Sequence, residues 1–364
     1  MKVSEVADII NEFAPFALKE SYDNVGLQIG NPESIVTGAI LTIDITEAVI
    51  DEAIARQCNL IVAHHPLIFK GVKQIVGKNL VERSILKAIK NDIAIIIAHT
   101  NIDSVNNGVS RMMSDKLGLK NCKVLAPRES ALLKLVTFIP SSSFDVVREA
   151  IFEAGAGHIG DYSKCGYSAN GEGSFMAAES ANPFVGEKMK FHVEPELKFE
   201  TILPFYKKSE VISALKRSHP YEEVAYDIYQ LQNVWDNVGY GLVGELADEM
   251  ELDAFLEKVK SAFELKSLRY TELKDRMVKR IAVSGGSGSD LLVNAKSVKA
   301  DVLISADFKY HQFFDAENQI AIVDIGHYES EQYTKELFFD ILTKKISTFA
   351  LHKSSVNTNP IKYL

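Results

Sequence analysis

AILTIDITEAVIDEAIARQCNLIVAHH, residues 39–65, is the stretch that decides the fold class of this 364-residue chain. It begins and ends with apolar runs rich in β-branched residues, which favour strands, and the apolar residues between them recur at helical spacing. Strands as uniformly apolar as these are buried on both faces, which is typical of a parallel or mixed sheet covered by helices. The stretch therefore predicts a β-α-β unit of an α/β protein.

The same rhythm continues to about residue 128 and returns after about residue 236. Helical patterns cover 79–92, 108–118, 252–263 and 330–346, and strand-like runs cover 93–100, 279–286, 300–306, 319–326 and 347–353. A strand alternating with a helix predicts a sheet with helical crossovers. We therefore expect one mixed-sheet α/β domain, built from an N-terminal segment (1–128) and a C-terminal segment (236–364).

The central residues 129–235 follow a different pattern. KLVTFIP (134–140) precedes a helical stretch at 144–155 and polar, Gly-rich strand material, and a second strand, helix and strand follow at 199–205, 209–220 and 224–231. This doubled β-α-β pattern predicts an inserted α+β domain of ferredoxin-like type. The alternative is that these strands simply continue the first sheet.

Composition excludes several classes of protein. Forty Lys and Arg against 49 Asp and Glu give a formal net charge of −9, which disfavours a nucleic-acid backbone as the main partner. No apolar stretch approaches membrane-spanning length, and the N-terminal residues read as an amphipathic helix. Three cysteines without metal-type spacing suit free thiols. We expect a cytoplasmic protein that does not contact a membrane.

The first chemical signal is His64-His65-Pro66, at the end of the strand LIVA. Side chains of a strand alternate between faces. Adjacent histidines therefore reach one centre only if the chain leaves the extended form, or they bind two different ions. A surface or hydrogen-bonded pair is the plainer alternative.

Two further signals lie just past predicted strands. HTNID brings His99, Asn101 and Asp103 to the carboxyl edge of the sheet, where ligands of open α/β sheets bind, although Asp103 also suits a helix N-cap. DIGHYESE places His327 and Glu331 four residues apart on one helical face, after a turn at Gly326. On an ordinary helix such a pair is only a solvated hydrogen bond.

Together these signals supply three imidazoles and two carboxylates: His64, His65, His327, Asp103 and Glu331. Five ligands exceed the needs of one tetrahedral ion, whereas two divalent ions sharing a carboxylate and a water would use them all. Two carboxylates leave about +2 of charge on two such ions, enough to bind an anion or acidify a water. Mixed N/O donors fit Zn, Fe, Mn or Co equally.

Other motifs have competing interpretations. The glycine-rich run Ser284-Gly285-Gly286-Ser287-Gly288-Ser289 follows a strand and precedes a helix, so its amides suit a phosphate, and the alternative is a tight structural turn. HPYEE (219–223) lies between a helix and a strand, which favours a turn over a second metal or effector site. Asp23-Asn24 reads as turn chemistry at the border of the site.

Five motifs resemble those of one known family. SYDNVGLQIG, IVAHHPLIF, AHTNIDSVNNG, AVSGGSGSD and DIGHYESE, in this order around a central insert, resemble the dinuclear-metal type 2 homologues of GTP cyclohydrolase 1, the Nif3-like proteins. The resemblance covers essentially the whole chain and implies the same five ligands. It also implies an insert similar to PII/CutA-type domains and a ring-shaped homohexamer.

The activity implied by that resemblance is hydrolytic opening of the imidazole ring of GTP. Such a reaction needs a metal-bound hydroxide that attacks C8 and a proton donor for the leaving nitrogen, for which His99 and His311 are candidates. Each of these histidines is otherwise an orienting or packed residue. The expected partner is a small-molecule substrate, possibly a nucleotide. The alternatives are a two-metal phosphoesterase and a non-catalytic metal carrier or scaffold with a PII-like sensor.

Overall fold

The computed structural model describes residues 1–273 and 277–364 and divides the chain into two compact units. The first unit combines Met1–Ala126 with Asn237–Leu364, and the second is the continuous segment Pro127–Asp236. Within the described residues, every helix is too short or too polar to span a bilayer.

The N-terminal stretch contributes five α-helices and five strands. The helices are α1 (Val3–Phe13), α2 (Glu47–Ala55), α3 (Leu80–Lys90), α4 (Thr100–Asp103) and α5 (Val109–Leu117). The strands are β1 (Gly26–Ile29), β2 (Gly38–Thr42), β3 (Leu60–Ala63), β4 (Ala94–Ile97) and β5 (Lys120–Arg128). A short 3-10 helix covers Phe16–Leu18.

The second unit has the order β-α-β-β-α-β. Its elements are β6 (Leu132–Pro140), α6 (Phe144–Glu153), β7 (Gly166–Met176), β8 (Phe191–Pro204), α7 (Lys208–Ser218) and β9 (Tyr226–Gln230), with 3-10 turns at Ser141–Ser143 and Phe205–Lys207. The four strands form an antiparallel sheet in the order β7-β8-β6-β9. Apolar residues of both helices, including Val147 and Leu215, pack with Leu135 and Phe199 of the sheet into a core of the unit's own.

The C-terminal stretch completes the first unit. Its strands are β10 (Trp235–Glu251), β11 (Arg269–Tyr270), β12 (Met277–Ser287), β13 (Val302–Ala306), β14 (Ala321–Asp324) and β15 (Ala350–Lys353). Its helices are α8 (Leu252–Ala262), α9 (Leu292–Ser297), α10 (His327–Glu331) and α11 (Thr334–Thr343), with 3-10 helices at Ser289–Leu291 and Tyr310–Ala316.

Two mixed sheets form the framework of the first unit. The order of the first is β1-β4-β3-β2-β15, with β1 antiparallel to β4 and the other pairs parallel. The order of the second is β11-β14-β13-β12-β10-β5, with β12, β13 and β14 parallel. The predicted mixed α/β fold is thus confirmed.

Both sheets are buried on two faces, as the apolar strands predict. In β3, Leu60 and Val62 pack into one hydrophobic core while Ile61 and Ala63 pack into another on the opposite face. This alternation is the two-residue period of a strand with no solvent-facing side.

Two local features differ from expectation. The predicted helix over 330–346 is two helices, because α10 ends at Glu331 and α11 begins only at Thr334. The long strand β10 has no predicted counterpart, since glycines and acidic residues interrupt its apolar alternation. The break after Glu331 matters for the site, because it leaves α10 as a separate short helix carrying two ligand-type side chains.

Candidate metal centre

All five predicted ligands come together where strands of the two sheets in the first unit end. His64 and His65 directly follow β3, Asp103 ends α4, and His327 and Glu331 are the first and last residues of α10. They form an inner group of His64, Asp103 and Glu331 and an outer group of His65, His327 and Glu331, and a third group joins His64 and His65 to His99. Within each group the ligand-type atoms lie within 4.8 Å of one another. Glu331 belongs to both the inner and the outer group.

Each carboxylate oxygen of Glu331 faces one group. Oε2 lies 2.9 Å from Nε2 of His65 and 3.2 Å from Nε2 of His327, and these two nitrogens are 3.2 Å apart. Oε1 lies 3.5 Å from Nε2 of His64, which is 3.7 Å from Oδ1 of Asp103. Donors about 2 Å from a common cation have separations of this size.

His64 and His65 share the group with His99, and they also divide between the inner and the outer group. Full burial of His64 and partial exposure of His65 fit this division.

A hydrogen bond at Nδ1 orients each of the three rings. The acceptors are Ala98 O for His64 at 2.9 Å, Asp44 Oδ1 for His65 at 2.7 Å, and Asp307 Oδ2 for His327 at 2.7 Å. A ring that donates from Nδ1 presents Nε2 as the ligand atom, and metal-binding histidines are typically held in this way. All three Nε2 atoms point into the cluster.

Three atoms at the centre are buried without a hydrogen-bond partner. They are His64 Nε2, Asp103 Oδ1 and Glu331 Oε2, the last of which lies close to the His65 and His327 rings without hydrogen-bond geometry. Buried polar atoms are nearly always paired, and leaving one unpaired is costly. Three such atoms within one cluster of imidazoles and carboxylates are the donor set that a cation would satisfy.

The pKa values in the cluster reflect the same charge arrangement. Burial raises the pKa of Asp103 to about 7. Burial opposes protonation of His65 and His327, but their acidic partners raise the pKa of His65 to about 10 and that of His327 to about 9. Burial would likewise raise the pKa of Glu331, yet the three histidines hold it well below its ordinary value. An environment that favours protons on these rings also favours a cation that displaces them.

Backbone conformation lets α10 approach closely. Gly326 has φ +91°, so the chain turns sharply before His327, as predicted. Gly286 has φ +60°, and a Cβ there would lie 2.3 Å from Oε1 of Glu331. Asp103 is not the predicted alternative, an N-cap, because α5 is capped by Gly108 and Asp103 is the last residue of α4.

The glycine-rich run packs against the ligand helix. Its first four residues complete β12, and the Gly286 amide donates to Ser330 Oγ at 2.9 Å. Gly286 O accepts from Ser305 Oγ. Four of the six residues are therefore strand rather than the tight turn expected, and a phosphate role for Ser284, Gly285, Gly286, Ser287 and Gly288 stays a prediction.

His99 joins the cluster from the opposite side. Its ring centroid lies 5.3 Å from that of His64 and 5.5 Å from that of His65. Nδ1 pairs with Asp23 Oδ1 at 2.9 Å, and Thr100 donates to the other Asp23 oxygen through its amide and hydroxyl. Burial opposes the charge of Asp23, but these hydrogen bonds hold its pKa well below the ordinary value. Asp23 therefore does more than form a turn.

The other predicted positions lie elsewhere. His311 is exposed and packs beside Tyr310 and Phe314, outside the ligand groups of the described residues. In HPYEE, His219 directly follows α7, and both of its ring nitrogens are hydrogen-bonded within the second unit. The favoured turn interpretation of HPYEE agrees with this geometry.

Sequence reasoning missed the acidic residues that orient the histidines. Asp44 comes two residues after β2, and Asp307 comes directly after β13. Both are acids at the carboxyl end of a buried strand, the same signal that identified His64 and Asp103. Applying that rule to every strand end would have found them.

Comparisons with known proteins agree with these motifs. A family model described as Duf34/NIF3 (NGG1p interacting factor 3) matches residues 1–360. A Halalkalibacterium halodurans protein named GTP cyclohydrolase 1 type 2 homolog is 39% identical over 364 residues, covering 99% of this chain and 98% of that protein. A Bacillus subtilis protein of the same name is 38% identical over 370 residues, covering 99% and 98%. The crystal structure of a Bacillus cereus protein related to NIF3 is similar over 100% of this chain and 99% of that one, with 37% identity and a TM-score of 0.86. The resemblance seen in the motifs is confirmed.

Proposed function

This chain belongs to the Duf34/NIF3 family, and from that membership and the geometry of its cluster we propose that it is a dinuclear divalent-metal hydrolase. One observation carries the proposal. Three imidazoles, each oriented through Nδ1, converge on a buried glutamate whose two oxygens face separate donor groups. A bridging carboxylate of this kind is what a pair of cations requires.

The roles of the chain's own residues follow from their contacts. His64 and Asp103 would hold one ion, His65 and His327 the other, and Glu331 both. When bound, two such cations would supply Lewis acidity and lower the pKa of a water. Asp23 fixes Nδ1 of His99, so its Nε2 is the nitrogen left to give or take a proton.

Aromatic side chains next to His99 support a planar substrate. Phe69 is 43% exposed and Tyr22 65% exposed, and their ring centroids are 6.2 Å apart. The Phe69 ring lies 6.4 Å from that of His99. Exposed rings provide stacking surfaces for a base. We therefore assign the substrate to nucleotides or related phosphate-bearing heterocycles, in line with the name of the curated relatives.

The proposal extends to the second unit. The order β-α-β-β-α-β with the sheet order β7-β8-β6-β9 supports a ferredoxin-like domain of PII/CutA type, inserted between the two segments of the metal-binding domain. Every proposed ligand lies outside it.

The test combines metal analysis with turnover. Purified protein should hold two divalent ions per chain, visible in an anomalous map at the inner and outer groups. Loaded protein incubated with GTP should release formate and no phosphate. Phosphate release would favour a two-metal phosphoesterase instead. A slow reaction on every nucleotide, with ready metal transfer to an acceptor, would favour a metal carrier.

A further inference from the structure

The C-terminal tail, residues 354–364, has no regular secondary structure, but its side chains form hydrogen bonds with the rest of the first unit. Ser354 and Ser355 donate to Glu52 at 2.6 and 2.8 Å. Thr358 Oγ1 donates to Asp44 Oδ2 at 2.5 Å, and Asn359 Nδ2 donates to Glu329 Oε1 at 2.9 Å. Two of these four contacts reach acids beside the metal centre.

The Thr358 contact leads directly to the outer group. Asp44 accepts Thr358 at one oxygen and faces Nδ1 of His65 with the other, at 2.7 Å. His65 in turn lies 2.9 Å from Glu331. The Asp44 side chain is 33% exposed, so water would compete for its carboxylate and its rotamer would be free without the threonine hydroxyl. Thr358 therefore holds the Asp44 carboxylate in place, and Asp44 in turn orients the ring of His65.

The inner group is held differently. His64 is fully buried, and its acceptor is the Ala98 carbonyl, a backbone atom that cannot rotate independently. Among the hydrogen bonds of the described residues, none joins residues 354–364 to His64 or Asp103. Asn359 does not discriminate between the groups, because Glu329 belongs to α10, which carries ligands of both.

We propose that Thr358 is a positioning residue that sets the metal affinity of the outer position, formed by His65, His327 and Glu331, independently of the inner one. This inference rests on the two-metal function proposed above. An outer partner that orients a ligand histidine typically contributes 10–100-fold to metal affinity. The two positions of the centre therefore differ in what holds them, and the Thr358 hydroxyl leads to only one.

The test is a zinc titration of chelator-stripped protein against a competing chelator, for wild type and three variants. Thr358→Val removes the hydroxyl but keeps the branched shape, and Thr358→Ser keeps the hydroxyl. Ser355→Ala is the matched control, because it deletes another hydroxyl-to-carboxylate bond of the same segment whose acceptor, Glu52, is not bonded to a ligand histidine in the contacts described here. We expect two binding events in wild type and one of them weakened in Thr358→Val, by no more than the 10–100-fold that loss of the orienting acid itself would cost. Thr358→Ser and Ser355→Ala should match wild type.

Crystals of Thr358→Val grown at limiting zinc should give anomalous density at the inner position alone. If wild type binds fewer than two ions, the proposed function fails. If wild type binds two and Thr358→Val binds both equally well, or loses both in parallel, only the present inference fails. A Thr358→Ser variant as weak as the valine variant would also overturn it. Should Thr358→Val not fold, Asp44→Asn must show the same selective loss.

Discussion

Two regions of this chain place histidine beside glutamate and have opposite chemistry: the cluster around Glu331 in the first unit and the HPYEE turn in the second. At the turn, His219 Nε2 is 3.0 Å from Phe138 O, and Nδ1 accepts from the Tyr221 amide at 3.1 Å. In the cluster, Nδ1 of His64 is satisfied and Nε2 has no partner. A histidine with both nitrogens bonded is structural, whereas one with a buried free nitrogen is ready for a ligand.

The carboxylates differ in the same way. Glu196 accepts from the Tyr221 hydroxyl at 2.9 Å, and Glu331 Oε2 is buried without a hydrogen-bond partner. Burial lowers the pKa of His219, so that ring stays neutral at the turn. The acids around His65 and His327 raise the pKa of those rings instead. Unsatisfied donor atoms, rather than residue types, separate a metal site from a turn.

The strongest test of this comparison is to replace Glu331 and Glu196, one at a time, with glutamine. Glu331→Gln keeps the size but removes the charge that both cations would share, so metal should be lost from both positions. We expect the metal affinity to fall by more than the 10–100-fold that a residue orienting a ligand histidine contributes. Glu196→Gln is the control in the second unit and should leave the metal content unchanged. Two full metal equivalents in Glu331→Gln, measured by elemental analysis, would show that it does not bridge.

The next largest effect separates a proton carrier from a ligand. His99→Ala should keep both ions and slow turnover by 10²–10⁴-fold, the usual contribution of a general acid or base. His192→Ala, which removes a ring paired with Glu194 in the second unit, should alter neither quantity. Steady-state rates and metal content of the same preparations decide the matter. Metal loss from His99→Ala would make His99 a further ligand, beside His64 and His65.

A smaller effect is expected at Phe69, the partly exposed ring next to His99. Stacking of a base contributes about 1–3 kcal/mol, and because Phe69 is partly exposed we take the lower end, about fivefold in affinity. Phe69→Ala should weaken GTP binding by this factor and leave inorganic triphosphate binding unchanged, as measured by equilibrium dialysis. Phe184→Ala, an exposed phenylalanine of the second unit, is the control. Equal weakening of both probes would argue against stacking.

No effect on metal binding is expected at the HPYEE turn. His219→Ala should leave two ions bound. It should also leave the Phe138 carbonyl and the Tyr221 amide without their hydrogen-bond partner, which lowers the free energy of unfolding of the second unit by about 1–3 kcal/mol. Trp235, the single tryptophan of the chain, stacks on Tyr206 in this unit, so its fluorescence reports the transition. Any loss of metal from His219→Ala would contradict the distinction drawn here.

The five candidate ligands could be predicted because they lie at or near strand ends. Buried β-branched runs show where a strand stops, and the carboxyl ends of parallel strands share one edge. This reasoning found His64, His65, Asp103, His327 and Glu331, which the structure brings together. It could not pair Thr358 with Asp44, because that contact joins residues 314 positions apart through a segment without periodicity.

Periodicity also failed where glycine and acidic residues break the alternation, as in β10. The same limit explains His311, whose neighbourhood depends on how a 3-10 helix packs rather than on a strand end. Local patterns specify elements, whereas contacts between distant segments depend on the assembled sheet.

The sheet order that places β5 beside β10 has a consequence for how this chain can change over evolution. The chain leaves the first unit near the end of β5 and returns near the start of β10, so the second unit is a single connection between two neighbouring strands. Loop-closure entropy rises only by about 0.6 kcal/mol for each doubling of length. Residues can therefore be gained, lost or exchanged at this connection at little thermodynamic cost to the sheet, away from the strand ends that carry the candidate ligands.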